Sequence, residues 1–299
     1  MERERLLGGL SALAAFGIWG VVPVYFKAVA HVPAPELLAH RTFWSVILLL
    51  VLIVLGRRWS ALRGALAQPR IWLLLGASTS LLAVNWLVFI WAITDGRVLE
   101  TSLGYYINPL INVLLGVLVL RERLTPWQAL AVALATIGVL NLTLQLGSIP
   151  WVSLTLAVSF GIYGLIRKTI RLNSIEGLFV ETALVAPLAL GYLIYLGATG
   201  TGALGAHDGT TDILLVLSGV VTALPLLAFA SAARRLQYTT VGFFQYIAPT
   251  GHFLLAVFVY GEAFTGAHLV TFGLIWTALA IFTAHSLHAA RVRSSATGI

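Results

Sequence analysis

Cysteine is absent from this 299-residue chain, and only 10% of its residues carry a charge. The first absence removes disulfides, thiol catalysis and zinc knuckles. The second argues against a water-soluble protein. Hydrophobic residues make up 59% of the chain at a mean hydropathy of +0.95, and a soluble domain of this length needs far more polar surface. Also missing are a G-x-x-x-x-G-K-[ST] phosphate loop, an H-E-x-x-H zinc motif, a G-x-S-x-G nucleophile turn and any carboxylate cluster within an apolar stretch. ATP is therefore not expected as the direct energy source, no metal or other cofactor is expected, and neither is enzymatic activity.

What the chain does contain is ten apolar runs: Leu6 to Phe26, Leu37 to Leu55, Trp72 to Ile93, Thr101 to Leu120, Trp127 to Leu144, Trp151 to Ile166, Leu178 to Leu196, Ile213 to Ala232, Thr240 to Tyr260 and Leu269 to Leu287. Crossing the hydrocarbon takes roughly 17 to 25 mostly apolar helical residues, which all but the short sixth run supply. Strand barrels are excluded, because the runs are too long and do not alternate at period two. The first run follows Arg3 and Arg5 but is too long for a signal core and is followed by nine more, so it reads as a retained helix. The fold class predicted is an all-α integral membrane protein with ten transmembrane helices.

Formal charge sums to +7 and is unevenly placed. Fifteen of the 18 basic residues fall at the two termini or between spans two and three, four and five, six and seven, and eight and nine; Lys27 and Arg97 lie on the other side and Arg41 within the second span. This is the positive-inside bias, which places both termini in the cytoplasm and makes the bilayer, rather than nucleic acid, the partner that the basic charge implies.

The second half repeats the first. Subtracting 140 brings Glu176 onto Glu36, Thr182 onto Thr42, Phe229 onto Phe89, Ala232 onto Ala92, Tyr246, Ile247 and Pro249 onto Tyr106, Ile107 and Pro109, and Glu262 and Thr265 onto Glu122 and Thr125. A five-span unit duplicated in tandem must insert upside down relative to its copy. The expected organisation is two inverted five-helix repeats, residues 1–148 and 149–299, around a central cavity, with the hinge of the duplication near Ile149 and Pro150. Many secondary transporters alternate a midplane site between the two sides of a membrane with such repeats. Gly197 to Thr211 is predicted to be a flexible outer loop and the only long connection. The other, short connections leave no room for a soluble catalytic domain.

Polar residues inside the spans mark the candidate site. Asn108 and Asn112 share a helix face with Tyr105 in the fourth span, where unpartnered carboxamides and a phenol are costly unless a wet cavity receives them. Pro109 bends that helix, and Gln245, Ala248, Pro249 and His252 take the matching positions in the ninth span. Asn85, Trp86 and Tyr163 lie well inside their spans, and Trp19 occupies the place in the first span that Tyr163 holds in its copy. Aromatic faces there suit flat or apolar solutes. For each of these residues the alternative role is core packing or interhelical hydrogen bonding. Arg41 would hold a substrate carboxylate or a gate, or else snorkel or pair with Glu36 or Glu100. Glu181 would carry a coupling proton or else neutralise Arg167 or Lys168. Pro23, Pro109, Pro225 and Pro249 are the expected flex points.

The strings ELLAHRTFWS, NWLVFIWA, ETSLGYYINPLIN, YGLIRK, ALPLLAF and GFFQYIAPT together resemble the drug/metabolite transporter (DMT) superfamily, in particular EamA-domain exporters of the RarD and YddG type. The resemblance spans essentially the whole chain. It implies ten helices in two inverted repeats, with a cavity bordered by spans one, three, four, six, eight and nine. It also implies a bacterial inner-membrane exporter of small metabolites, amino acids first, aromatic or other neutral ones. A drug (chloramphenicol-like) or nucleoside exporter of the same fold is the alternative, and a non-transporting polytopic sensor or assembly factor a further one. A monomer or weak dimer in the lipid bilayer, with a small-molecule substrate, is the expected state.

Overall fold

The computed structural model describes residues 2–95, 97–145, 150–261 and 266–296. It is helical throughout: α1 Glu2–Ala28, α2 Ala34–Leu55, α3 Trp59–Leu66, α4 Pro69–Thr94, α5 Val98–Leu118, α6 Pro126–Gln145, α7 Trp151–Thr169, α8 Ser174–Thr199, α9 Gly209–Arg235, α10 Tyr238–Gln245, α11 Ile247–Leu254, a π-helical turn Leu255–Val259, and α12 Gly266–Ala296. Proline punctuates the starts, standing first in α4 and α6 and just before α2 and α7, where its missing N–H leaves no helical bond unmade.

Nine helical segments among the described residues are long and apolar enough to cross a membrane. The ten-span expectation is thus met by nine on composition. The shortfall is α7, whose serines, threonines and terminal Arg167 and Lys168 dilute its short apolar run; it nevertheless runs inside the bundle against α4, α5 and α9. Large apolar side chains such as Leu73, Leu144, Leu188 and Phe258 face outward and are exposed, which a bilayer accommodates and water does not. The inferred hinge residue Ile149, and Glu262 and Thr265 of the repeat, lie outside the described residues.

Two expectations about connections are corrected. The connection between the second and third spans, expected to be one of the short ones, contains α3. Its Leu62 packs on Ile53, Ile71 and Leu75, and Trp72 Nε1 donates to Leu66 O at 2.7 Å. Gly197 to Thr211 is loop only between residues 200 and 208, and hydrogen bonds tie that loop down. α8 continues to Thr199, Gly200 ends it at φ +65°, and α9 begins at Gly209. Between them Ala203 N donates to Glu36 Oε1 at 2.5 Å and Gly205 N to Asp212 Oδ1 at 2.8 Å. Asp208 caps α9, accepting from Thr211 N at 2.9 Å and Thr211 Oγ1 at 2.6 Å.

Packing crosses the two halves. α6 lies on α12, α5 on α7 and α10, α1 on α9 and α11, and α2 on α8 and α9. The α1–α11 crossing is so close that a Cβ built on Gly251 falls 2.8 Å from Gly20 Cα. A side chain at position 251 is excluded there, whereas a Cβ on Gly20 would fall 3.5 Å from Gly251 Cα, an ordinary contact.

Candidate functional site

Where the first and second halves meet, side chains of α1, α2, α4, α5, α7, α9, α10, α11 and the π-helical turn enclose a cavity of about 640 Å³. This lies within the range of about 300–1,000 Å³ typical of small-molecule sites. It is built from the second half of α1, the first turns of α2, the second half of α4 and the first half of α5. It therefore sits toward the end of the bundle where α1 passes into α2, and reaches that end at Lys27 and Tyr260. Toward the opposite end it is closed by rings: Phe16, Tyr163, Phe229 and Tyr238 are fully buried, with Trp19 and Phe160 edge-to-face at 5.8 Å and Tyr163 stacked on Phe229 at 6.2 Å.

The chain's prolines shape its polar groups. Pro23 has no N–H to give Trp19, one turn earlier, so the Trp19 carbonyl is left free within α1. His252 fills that vacancy, its Nε2 lying 2.8 Å from Trp19 O. A carbonyl only accepts, so His252 Nε2 carries the proton. α10 gives way to α11 at Tyr246, three residues ahead of Pro249. By contrast α1, α5 and α9 remain continuous helices through Pro23, Pro109 and Pro225. Of the four prolines read as flex points, Pro23 and Pro249 line the cavity, while Pro109 and Pro225 do not.

Trp19, Asn85, Trp86, Tyr105, Asn108, Gln245, His252 and Arg41 are brought together on the cavity wall. Asn85 Nδ2 is committed to Leu156 O and Ser159 Oγ, both at 2.9 Å, which leaves its Oδ1 for a solute. Asn108 is only 5% exposed and its Oδ1 has no partner among the described residues. A buried, unsatisfied carboxamide oxygen costs about 1–3 kcal/mol, and a donor entering the cavity removes that cost. Tyr105 meets His252 edge-to-face at 5.8 Å.

Three residues read as site candidates lie elsewhere. Asn112, one turn past Asn108, is fully buried and donates to Gln245 Oε1 at 2.5 Å, so it orients Gln245 from behind the wall. Tyr163 does not take the place of Trp19; Phe160, three residues earlier on α7, faces the cavity instead, and the Tyr163 hydroxyl donates to Glu181 Oε2 at 3.4 Å. Glu181 is 1% exposed, beyond the ring floor. Its Oε1 accepts from Ser78 Oγ at 2.6 Å and lies 3.6 Å from Nη1 of Arg167, which is wholly buried. Of its two readings, the neutralising partner of Arg167 is the one the geometry supplies.

Arg41 pairs with neither Glu36 nor Glu100. Glu36 is taken by Ala203 N and lies 3.8 Å from His40; Glu100 is held by Arg97 at 3.1 Å. Arg41 Nε donates to Thr222 Oγ1 at 2.8 Å, and the guanidinium lies over the rings of Phe26 at 5.2 Å and Trp86 at 5.8 Å. Thr222, 181 positions away, carries no local signal of this partnership. Lys27 was recognised only as an outlying charge, yet it lines the cavity with its Nζ 3.6 Å from the centre of the Tyr260 ring.

Comparison with known proteins agrees with this architecture. Residues 6–144 match the EamA-like transporter family. An uncharacterised transporter of Vibrio cholerae is 52% identical over 97% of each chain. Protein RarD of Escherichia coli is 45% identical over 97% of this chain and 98% of its own length. The chloramphenicol-sensitive protein RarD of Pseudomonas aeruginosa is 34% identical over 91% of this chain and 92% of its own. One crystal structure, only 21% identical, superposes with a TM-score of 0.72 over 93% of this chain and 97% of that one, a likeness of fold. Similarity to transporters over nearly the whole length, 52% and 45% identical, together with a helical membrane bundle that holds a cavity, leads to one conclusion: the chain belongs to the EamA-like transporter family of the DMT superfamily.

Proposed function

We propose that the chain exports small metabolites with a carboxylate and an apolar body, amino acids among them, from the cytoplasm across a bacterial inner membrane by alternating access at this cavity. The observation that carries the reading is Asn108: a buried carboxamide left without a partner on an aromatic-walled cavity suits a site completed by a solute. Two inverted five-helix halves, 1–148 and 149–299, would supply the rocking elements. In support, features recur at the 140-residue offset. Arg121 and Gly261 both have positive φ; Thr42 and Thr182 each donate to the carbonyl four residues back; Ala92 and Ala232 are both fully buried. α2 with α8, α5 with α10 and α6 with α12 would each be an element packed on its own copy. With both termini cytoplasmic, the cavity reaches the outer face, and the ring floor with the Arg167–Glu181 pair closes the inner one.

Transport of labelled amino acids, chloramphenicol and a nucleoside into or out of liposomes tests this. At least one solute should move faster than through empty liposomes, and Asn108→Ala should slow it. Rates equal to empty liposomes for every solute would overturn the carrier reading. The drug reading is favoured by one observation, the name of the Pseudomonas relative; chloramphenicol moving while every amino acid does not would decide for it.

A further inference from the structure

The cavity carries charge of one sign. Lys27 and Arg41 line it, and among the described residues no aspartate or glutamate does. The nearby carboxylates on the same end of the bundle are engaged elsewhere: Glu36 with Ala203 N, Glu100 with Arg97, Asp212 with Gly205 N and Asp208 with Thr211. Neither Lys27 nor Arg41 has an acidic partner among the described residues. The Nε bond to Thr222 pins the guanidinium while both Nη groups remain without a protein acceptor, an arrangement that matches the two oxygens of a carboxylate. Unpaired cations in a largely apolar, partly enclosed space are costly, and a bound anion offsets that cost.

A free ammonium finds no such reception. It would enter beside two cations with no carboxylate to meet it; the carboxamide oxygens of Asn85 and Asn108, which a neutral N–H serves without that repulsion, and the aromatic faces are its remaining support. Three of those faces are already used, Tyr260 by Lys27 and Phe26 and Trp86 by Arg41. Phe16, Trp19, Phe89 and Phe160 give the rest of the wall an apolar, ring-lined character, and the orphan Asn108 Oδ1 is matched by a neutral N–H or O–H. We infer that the cavity selects organic monoanions, carboxylates with an aromatic or branched apolar body whose nitrogen, if present, is acylated or otherwise uncharged, over zwitterionic amino acids. This narrows the export reading above and rests on it for the cavity's role as the transport site.

Binding to the purified full-length protein tests the charge rule directly. Tryptophan fluorescence would be titrated with 3-phenylpropionate, N-acetylphenylalanine, phenylalanine and phenethylamine, for wild type, Arg41→Gln and Arg41→Lys, each first shown to elute as wild type on size exclusion. Both monoanions should bind at least tenfold more tightly than phenylalanine, and phenethylamine more weakly still. Arg41→Gln should lose at least tenfold for the anions, and Arg41→Lys should restore part of that loss. Phenylalanine binding as tightly as 3-phenylpropionate, Arg41→Gln leaving the anion affinity unchanged, or no anion binding at all would each overturn the inference. Liposome counterflow separates this from the carrier reading. Amino-acid flux without anion preference keeps the carrier and removes the charge rule, whereas Arg41-dependent anion binding with no flux of any solute keeps the rule and removes the carrier.

Discussion

Replacing Glu181 with glutamine should destabilise the folded protein more than any conservative change on the cavity wall. Arg167 Nη1 and Glu181 Oε1 lie 3.6 Å apart at 0% and 1% side-chain exposure. At that distance two unit charges attract by about 4–5 kcal/mol at an effective dielectric of ~20. Glutamine keeps the shape and a contact for Ser78 but removes the charge. Arg167 would then retain one bond, from Nη2 to Ser174 O at 3.2 Å, with Nε and Nη1 already unpartnered. Retreat is blocked, because a Cβ on Gly177 would already overlap the guanidinium, so the cation packs directly on the α8 backbone. A buried charge left without its partner costs roughly 3–5 kcal/mol, and that is the expected loss for Glu181→Gln in detergent unfolding followed by tryptophan fluorescence or circular dichroism. The double variant Arg167→Met/Glu181→Leu should recover most of it, since apolar replacements of similar volume dispense with desolvating both ions. A Glu181→Gln protein within about 0.5 kcal/mol of wild type, the ordinary spread of surface substitutions, would refute the reasoning.

Other outcomes follow from the same geometry. Gly251→Val should destabilise by about 1–3 kcal/mol or more, because the new side chain meets the Gly20 backbone; Gly17→Ala, whose Cβ finds nothing within 4 Å, should not, and thermal unfolding compares the two. Glu122→Ala should cost about 1.5–3 kcal/mol in the same assay, since its carboxylate accepts from Tyr238 N at 2.6 Å and Thr239 N at 2.9 Å at the start of α10. The bonds from Thr211 hold the Asp208 carboxyl below the usual aspartate range. A depressed folded-state value means that its contribution is fully present above the ordinary value of ~3.9 and is lost as pH falls through the lowered one. Protection of the Thr211 amide, its exchange relative to the intrinsic rate at each pH, should therefore be lost only in strong acid, and Asp208→Ala should abolish that dependence. Because the chain has no cysteine, each introduced one is a unique label. Thiols placed at exposed His31, between α1 and α2, and Arg171, between α7 and α8, should react from opposite faces of the membrane, and reaction from the same face would remove the inverted repeat.

Much of this architecture was legible in the sequence because a bilayer imposes long apolar helices and strips the chain of casual charge. Span positions could be read from the length of the apolar runs, the polar face of α5 from its helical spacing, and the rings of Trp19 and Trp86 from their places deep inside spans. Partnerships could not. Whether Arg41 meets Glu36, Glu100 or Thr222 depends on how α2 rolls against α9, and no local pattern fixes that roll. The same blindness misplaced Tyr163: residues three apart on a helix differ in direction by about 60°, enough to exchange Phe160 on the cavity for Tyr163 beneath the floor. The outer loop misled for another reason, since its order comes from backbone N–H groups answering Glu36 and Asp212, and backbone donors leave no trace in composition.

The crosswise packing also bears on biogenesis. While the ribosome is still making α7 onward, α1, α2, α5 and α6 already span the membrane with the surfaces meant for α11, α8, α7 and α12 turned to lipid. Nascent N-terminal helices must wait, separately inserted and loosely associated, until their later-made counterparts arrive. A premature stop halfway along the message would thus yield a set of unmatched spans rather than a smaller working device.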